Sequence, residues 1–152
     1  MRLVVAVGLP GSGKSAFLPP SALSSDRVRL LLLGDEADQR NNAQVFLTLR
    51  RLVSASLREN PVTYVDATNL TRGERRQWIA LGREQGASVE ALYFDVPLAV
   101  CKLRNAARPR VVPERVLDLM AARLVPPSVE EGFSLVVVVT PLPEKSLPGS
   151  AG

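Results

Sequence analysis

Apolar residues along this chain fall into short, dense runs separated by longer stretches with helical spacing. Residues 3–7 form a β-branched apolar run that ends in glycine, and comparable runs recur at 62–65, 89–94 and 135–139. Dense apolar runs bounded by turn residues predict strands buried on both faces of a parallel sheet.

The intervening segments predict helices. The first begins inside the glycine-rich stretch 8–15 and ends before Pro19-Pro20, because proline disfavours the helical conformation in its predecessor. Ser24, Ser25 and Asp26 supply capping chemistry for a short helix reaching Leu33, which Gly34 stops. From about Ala37 to Glu59, Ala43, Phe46, Leu47, Leu49, Leu52, Val53 and Leu57 recur at helical spacing with arginines opposite, which predicts the longest helix. Thr71 followed by Glu74 reads as a capping box for a helix to about Gln85, with Gly86 just beyond. Pro97 opens a helix to about Ala107, Pro109 and Pro113 break it, and 114–124 is the next. Strands alternating with helices predict an α/β fold, a three-layer α/β/α arrangement around a parallel sheet of four to five strands. After Val139 the chain turns to Pro, Ser and Gly, which divides it into one domain over 1–140 and a flexible tail over 141–152.

Composition narrows the chemistry. A chain of 152 residues can build one core without disulfides or metals. There is no histidine, so serine triads, histidine-ligated zinc hydrolysis and histidine-metal phosphohydrolase sites are excluded, and any general base must be a carboxylate. Cys101 stands alone, which rules out a disulfide framework or thiolate zinc site within this chain and leaves it a packing residue. The apolar N-terminal run is too short for a membrane span or signal peptide, so the expectation is a cytoplasmic protein with no membrane association. The net charge of +4 is almost all arginine and fits an anionic partner, with only weak weight for nucleic acid. Phe17, Phe46, Trp78 and Phe133 lie in apolar contexts and are expected in the core, which leaves no obvious stacking platform for bases. Nothing in the pattern bears on oligomeric state.

Gly8-Leu9-Pro10-Gly11-Ser12-Gly13-Lys14-Ser15 satisfies GxxxxGK[ST] between a predicted strand and a predicted helix, the context a P-loop requires. Its glycines let successive N–H groups converge on phosphate oxygens, and the helix N-terminus adds partial positive charge. Lys14 is expected to bridge β- and γ-phosphates of ATP or another nucleoside triphosphate, and Ser15 to ligate Mg²⁺. Asp66, after the 62–65 run, is the candidate second metal residue; an Asx turn in Asp66-Ala67-Thr68-Asn69 is the competing explanation. Asp26 and Arg29 stand one helical turn apart, suited to accepting a hydroxyl proton and gripping an anionic group, although Asp26 could instead cap its helix beside a solvated Arg29. Lys102, Arg104, Arg108 and Arg110 run from a helix into a proline-bounded loop, readable as a lid over the γ-phosphate or as a solvated basic helix end.

Together these residues resemble the 5′-polynucleotide kinase family, the P-loop kinase domain of phage and bacterial end-healing enzymes, over most of the chain up to about Val139. The glycine-rich loop resembles the family's P-loop, Asp26-Arg27-Val28-Arg29 its DxxR element, and Asp66-Ala67-Thr68-Asn69 its DxTN-type segment. Phe94-Asp95-Val96-Pro97 with Arg104-Asn105 and Arg108 resembles the run into its lid. The resemblance implies that Asp26 is the general base for a 5′-hydroxyl, that Arg29 grips the acceptor phosphate and that Arg108, with Arg104, contacts the donor phosphates. The lid is one residue short, so Arg110 could share the Arg108 role. Zeta-toxin-like kinases of small molecules or nucleotide sugars share these features. The alternatives to a kinase of nucleic-acid 5′-OH ends are therefore a small-molecule kinase and a non-catalytic ATP-binding module. Neither a DxDGT phosphatase motif nor a histidine-metal phosphatase module is present.

Overall fold

The structure, a computed structural model, describes residues 1–36 and 41–141. Five strands, β1 (Arg2–Val7), β2 (Leu23–Ser24), β3 (Val62–Asp66), β4 (Ser88–Phe94) and β5 (Leu135–Val139), form one sheet in the order β2-β3-β1-β4-β5. Every pairing is parallel, with β1 central between β3 and β4. The helices are α1 (Lys14–Phe17), α2 (Ser25–Leu33), α3 (Asn42–Glu59), α4 (Arg72–Glu84), α5 (Leu98–Ala106) and α6 (Glu114–Arg123). The predicted α/β class and parallel sheet are those observed. Residues 37–40, where the longest helix was expected to start, and 142–152, most of the expected tail, lie outside the described residues.

Residues 3–7 of β1 are all buried because both sheet faces are covered, as a dense apolar run requires. On one face Leu3, Val5, Val65, Val89 and Ala91 meet Val45, Leu49, Val53 and Leu57 of α3 and Trp78, Ile79 and Leu81 of α4. On the other, Val4, Ala6, Leu92 and Phe94 meet Leu18 and Ala22 from the segment after α1. A third cluster, Leu9, Leu70 and Cys101 with Leu98, Met120 and Leu124, seats α5 and α6 across the carboxyl ends of the strands. Each fully buried Leu or Val contributes roughly 1.5–3 kcal/mol relative to exposure. Among the described residues no helix is long and apolar enough to cross a membrane.

Two elements are not among those expected. β2 has only two residues, too few for any period to register, and it exists because its backbone pairs with the end of β3. The 3-10 turn Val129–Glu131 does carry a signal, Ser128 three residues before Glu131: the Ser128 N–H donates to Glu131 Oε2 at 2.9 Å, and the same carboxylate takes the ion pair described below. One expectation is corrected: Phe17 is not a core residue but 60% exposed. α1 ends after a single turn, so the ring projects past the sheet and meets Phe94 edge-on with centroids 5.5 Å apart. Phe46 is half-buried, while Trp78 and Phe133 are core.

Candidate active site

In open parallel sheets, ligands bind beyond the carboxyl ends of the strands. Here that end opens into a cleft of about 780 Å³ between the P-loop, α2, α3, α4 and the α5–α6 hairpin. The loop from Gly8 to Gly13 leaves β1 and turns into α1, with Gly11 at φ +83° and Gly13 at φ +94°. A side chain at Gly11 would strike the Cys101 carbonyl in α5, so the loop needs glycine there for space as well as for conformation.

Lys14 is buried, and its Nζ donates to the carbonyls of Gly8 and Leu9 at 2.8 and 2.9 Å. Burial pushes its pKa down to about 8, against the pull of Asp66 and Asp26 and with a further push from Arg108. Ser12 Oγ is buried in the loop with no hydrogen-bond partner among the described residues. An unpaired hydroxyl beside a desolvated ammonium and a helix N-terminus fits an incoming phosphate.

Ser15 Oγ donates to Asp66 Oδ2 at 2.8 Å, joining α1 to the end of β3. The sequence left Asp66 between a metal role and an Asx turn, and this bond gives it a partner across the cleft floor. Hydroxyl and carboxylate oxygens are hard donors, and among the described residues no larger acidic cluster surrounds them. That set suits Mg²⁺, which keeps several waters and takes few protein ligands.

Asp26 and Arg29 pair as their spacing predicts: Arg29 donates from one terminal nitrogen to Asp26 Oδ1 at 3.0 Å. Neither competing possibility holds, because Ser24 caps α2 by accepting from the Arg27 N–H and Arg29 is buried rather than solvated. Arg29 also donates to Asn42 Oδ1 at 2.9 Å. Asn42, on α3, is a neighbour the sequence gave no reason to single out.

Arg104 and Arg108 line the P-loop side of the cleft, with the Arg104 guanidinium packed over Gly13. Arg110 instead reaches the acceptor side, its guanidinium 3.5 Å from both Asp26 Oδ2 and Glu36 Oε2. Buried Asn105 closes the loop reciprocally, donating to the Val112 carbonyl at 2.6 Å and accepting from its N–H at 3.0 Å.

Asn69, at φ +48°, is a second residue whose work the motif did not disclose. Its amide donates to the Ala6 carbonyl at 2.8 Å and its oxygen accepts from the Trp78 indole at 2.9 Å. With the Gly8 N–H donating to the Thr68 carbonyl at 3.0 Å, the 66–69 segment is stitched to the root of the P-loop. Beside α1 a smaller hollow of about 270 Å³ is lined by Gly13, Phe17, Phe94, Arg104 and Pro141.

This arrangement is that of the P-loop kinase class. Residues 3–127 match the family model described as AAA domain, and the chain belongs to that family. Among curated proteins it is similar to the Arabidopsis thaliana transcription factor bHLH140, 31% identical over 106 residues, covering 70% of this chain and 11% of that protein. It is also similar to the bifunctional polynucleotide phosphatase/kinase of Schizosaccharomyces pombe, 24% identical over 143 residues, covering 89% of this chain and 32% of that protein. The chain thus spans a third or less of the curated relatives it matches. Among solved structures, a protein from Chloroflexus aurantiacus superposes with a TM-score of 0.67 at 16% identity, covering 99% of this chain and 90% of that one. The Pnkp1/Rnl/Hen1 complex gives 0.59 at 22% identity, covering 73% and 40%. The APS kinase CysC of Mycobacterium tuberculosis gives 0.57 at 18% identity, covering 90% and 87%. These superpositions establish the shared fold.

Proposed function

We propose that this domain transfers the γ-phosphate of ATP to the 5′-hydroxyl of a polynucleotide. The observation that carries it is the convergence, in one cleft, of a phosphate cradle at Lys14 and Ser15 with a half-buried carboxylate at Asp26 held by buried Arg29. A cradle alone marks nucleotide binding; a carboxylate facing it across the cleft provides for a hydroxyl acceptor. The similarity to a polynucleotide phosphatase/kinase supports the acceptor class.

In this proposal the loop amides and Lys14 hold the β- and γ-phosphates, and the hollow beside Phe17 and Arg104 offers the donor base a stacking surface. Ser15, with Asp66 alongside, would hold Mg²⁺, which would supply charge neutralisation for the phosphates. The acceptor oxygen attacks the γ-phosphorus while its proton passes to an Asp26 carboxylate oxygen, and the bond to the β,γ-bridging oxygen breaks to release ADP. Arg29 orients the acceptor through its anionic group, and Arg104 and Arg108 close over the donor phosphates.

A small-molecule acceptor is the second reading, favoured by the cleft lining, where half-buried Phe46 is the one aromatic side chain among the described residues and offers no broad stacking platform for acceptor bases. Transfer of labelled γ-phosphate to a 5′-OH oligonucleotide, beside a panel of sugars and nucleosides, separates the two. Asp26→Ala is expected to lower turnover by about 10²-fold or more, the usual cost of losing a general base. Full turnover in Asp26→Ala would falsify the base assignment.

A further inference from the structure

The lid arginines divide into two groups. Arg104 lies over Gly13 and Arg108 is close enough to Lys14 to lower its pKa, so both serve the P-loop side. Arg110 turns the other way, spanning the cleft to Asp26 on α2 and to Glu36 beyond it. The reciprocal Asn105–Val112 bonds fix the loop that carries it, so this orientation is set by the fold and not by a free chain end.

Around Asp26 two guanidinium groups therefore face one carboxylate, Arg29 on Oδ1 and Arg110 near Oδ2. Both keep a buried Nε–H with no hydrogen-bond partner among the described residues. Buried donors of that kind are costly to leave unmade. Two of them flanking one acceptor-side carboxylate make a site for an anion with several acceptor oxygens, and a phosphate can take both.

We propose that Arg110 is an acceptor-binding residue: it pairs with Asp26 until an acceptor arrives and, with Arg29, takes the phosphate of a phosphate-bearing hydroxyl acceptor, freeing the carboxylate for the proton. The preference for acceptors with a phosphate near the attacked hydroxyl then depends on Arg110 as well as on Arg29. This rests on Asp26 being the base of the proposed kinase reaction.

The test is calorimetric, on the whole chain saturated with Mg²⁺ and a non-hydrolysable ATP analogue so that the P-loop is filled. Inorganic phosphate, thymidine 3′-monophosphate and thymidine are titrated in turn. The phosphate-bearing probes should bind and thymidine should bind at least about tenfold more weakly, since a charge-assisted contact is lost. Arg110→Gln should weaken the phosphate-bearing probes by about tenfold, leave thymidine unchanged and leave the affinity for the ATP analogue within about twofold. Arg110→Lys, which keeps the charge but loses the fork, should recover part of the loss. Thermal unfolding of each variant checks that the fold is retained.

Loss of ATP-analogue affinity in Arg110→Gln, with the phosphate probes unaffected, would overturn the proposal by placing this arginine on the donor. Unchanged binding of every probe would reduce it to a tie between loop and helix, and absence of phosphate binding in the unmodified chain would remove the site. Failure of the polynucleotide reading looks different: 5′-OH oligonucleotides go unphosphorylated while the Arg110-dependent preference for phosphate persists.

Discussion

Lys14 couples burial to charge, and two opposite pH dependences follow. Burial lowers its pKa to about 8 because the ammonium has lost water, so an arriving triphosphate meets a charged partner below that pH and a neutral one above it. Titrating a non-hydrolysable ATP analogue between pH 6.5 and 9.5 should show Kd rising above about pH 8 and approaching about tenfold per pH unit, with the trend flattened in Lys14→Met. Stability without ligand should move the other way. A lysine with a depressed folded pKa binds fewer protons folded than unfolded between about 8 and its ordinary value of 10.5, so unfolding free energy rises with pH across that window. Denaturant melts at pH 7.5 and pH 9.5, on native and Lys14→Met chains, check the sign. A separate prediction concerns Ser15 and Asp66, whose 2.8 Å hydrogen bond brings two hard oxygens to one point. Asp66→Asn keeps the hydrogen bond but removes the charge, and it should raise the Mg²⁺ concentration for half-maximal turnover by about tenfold or more while ATP-analogue affinity without metal is preserved.

The short elements around the cleft are held by side chains whose removal should cost stability locally. Ser24 caps α2 and Thr71 caps α4, each accepting from the N–H three residues on. Ser24→Ala and Thr71→Ala should each cost about 1 kcal/mol in a denaturant melt. Only Ser24→Ala should also slow turnover, because α2 carries Asp26. The Thr71 cap was legible in the sequence, as were β1, β3, β4, β5 and the P-loop turn, because each rests on local spacing or on a residue type at a fixed offset; for α2 the sequence offered Ser24, Ser25 and Asp26 together, and the structure selects Ser24. The capping box shows where local signals stop: Glu74 sits where the motif expects it, yet its carboxylate accepts from the Leu70 N–H, one residue before the cap. Arg123, distant in sequence, takes its other oxygen at 2.7 Å. The Asp26–Arg29 pair was readable from helical spacing. The Arg110 contact with Asp26 was not, since it depends on how far the lid hairpin folds back across the cleft. Phe17 misled because its apolar neighbours Ala16 and Leu18 suggest burial, while the one-turn α1 leaves its ring beyond the sheet.

At the scale of the whole domain, one buried ion pair ties the cleft wall to the far end of the chain. The arginines of α4 look like a solvated face, yet Arg75 is wholly buried and bidentate on Glu131, Nε to Oε1 at 2.9 Å and a terminal nitrogen to Oε2 at 3.0 Å. Its remaining nitrogen donates to the carbonyls of Asn69, Leu70 and Val125, joining the 66–69 segment to the chain leaving α6. No periodicity in the sequence announces this, because the partners lie on separate elements and an arginine on a helix normally faces water. A buried pair broken on one side leaves an uncompensated charge and costs about 3–5 kcal/mol, whereas replacing both partners with apolar groups can be nearly neutral. Glu131→Gln should therefore lower Tm by roughly 10 °C, since each kcal/mol is worth about 2–4 °C at this chain length. Arg75→Met with Glu131→Leu should recover much of that stability but not the donor to Asn69, Leu70 and Val125. If the pair serves only to hold the fold, turnover follows stability and returns in the double variant. If those carbonyl contacts also set the spacing between Asp66 and the lid hairpin, turnover at 25 °C stays low while Tm recovers. Calorimetric melts beside single-temperature rates separate the two roles, and the arrangement of the three carbonyls around one guanidinium favours the second.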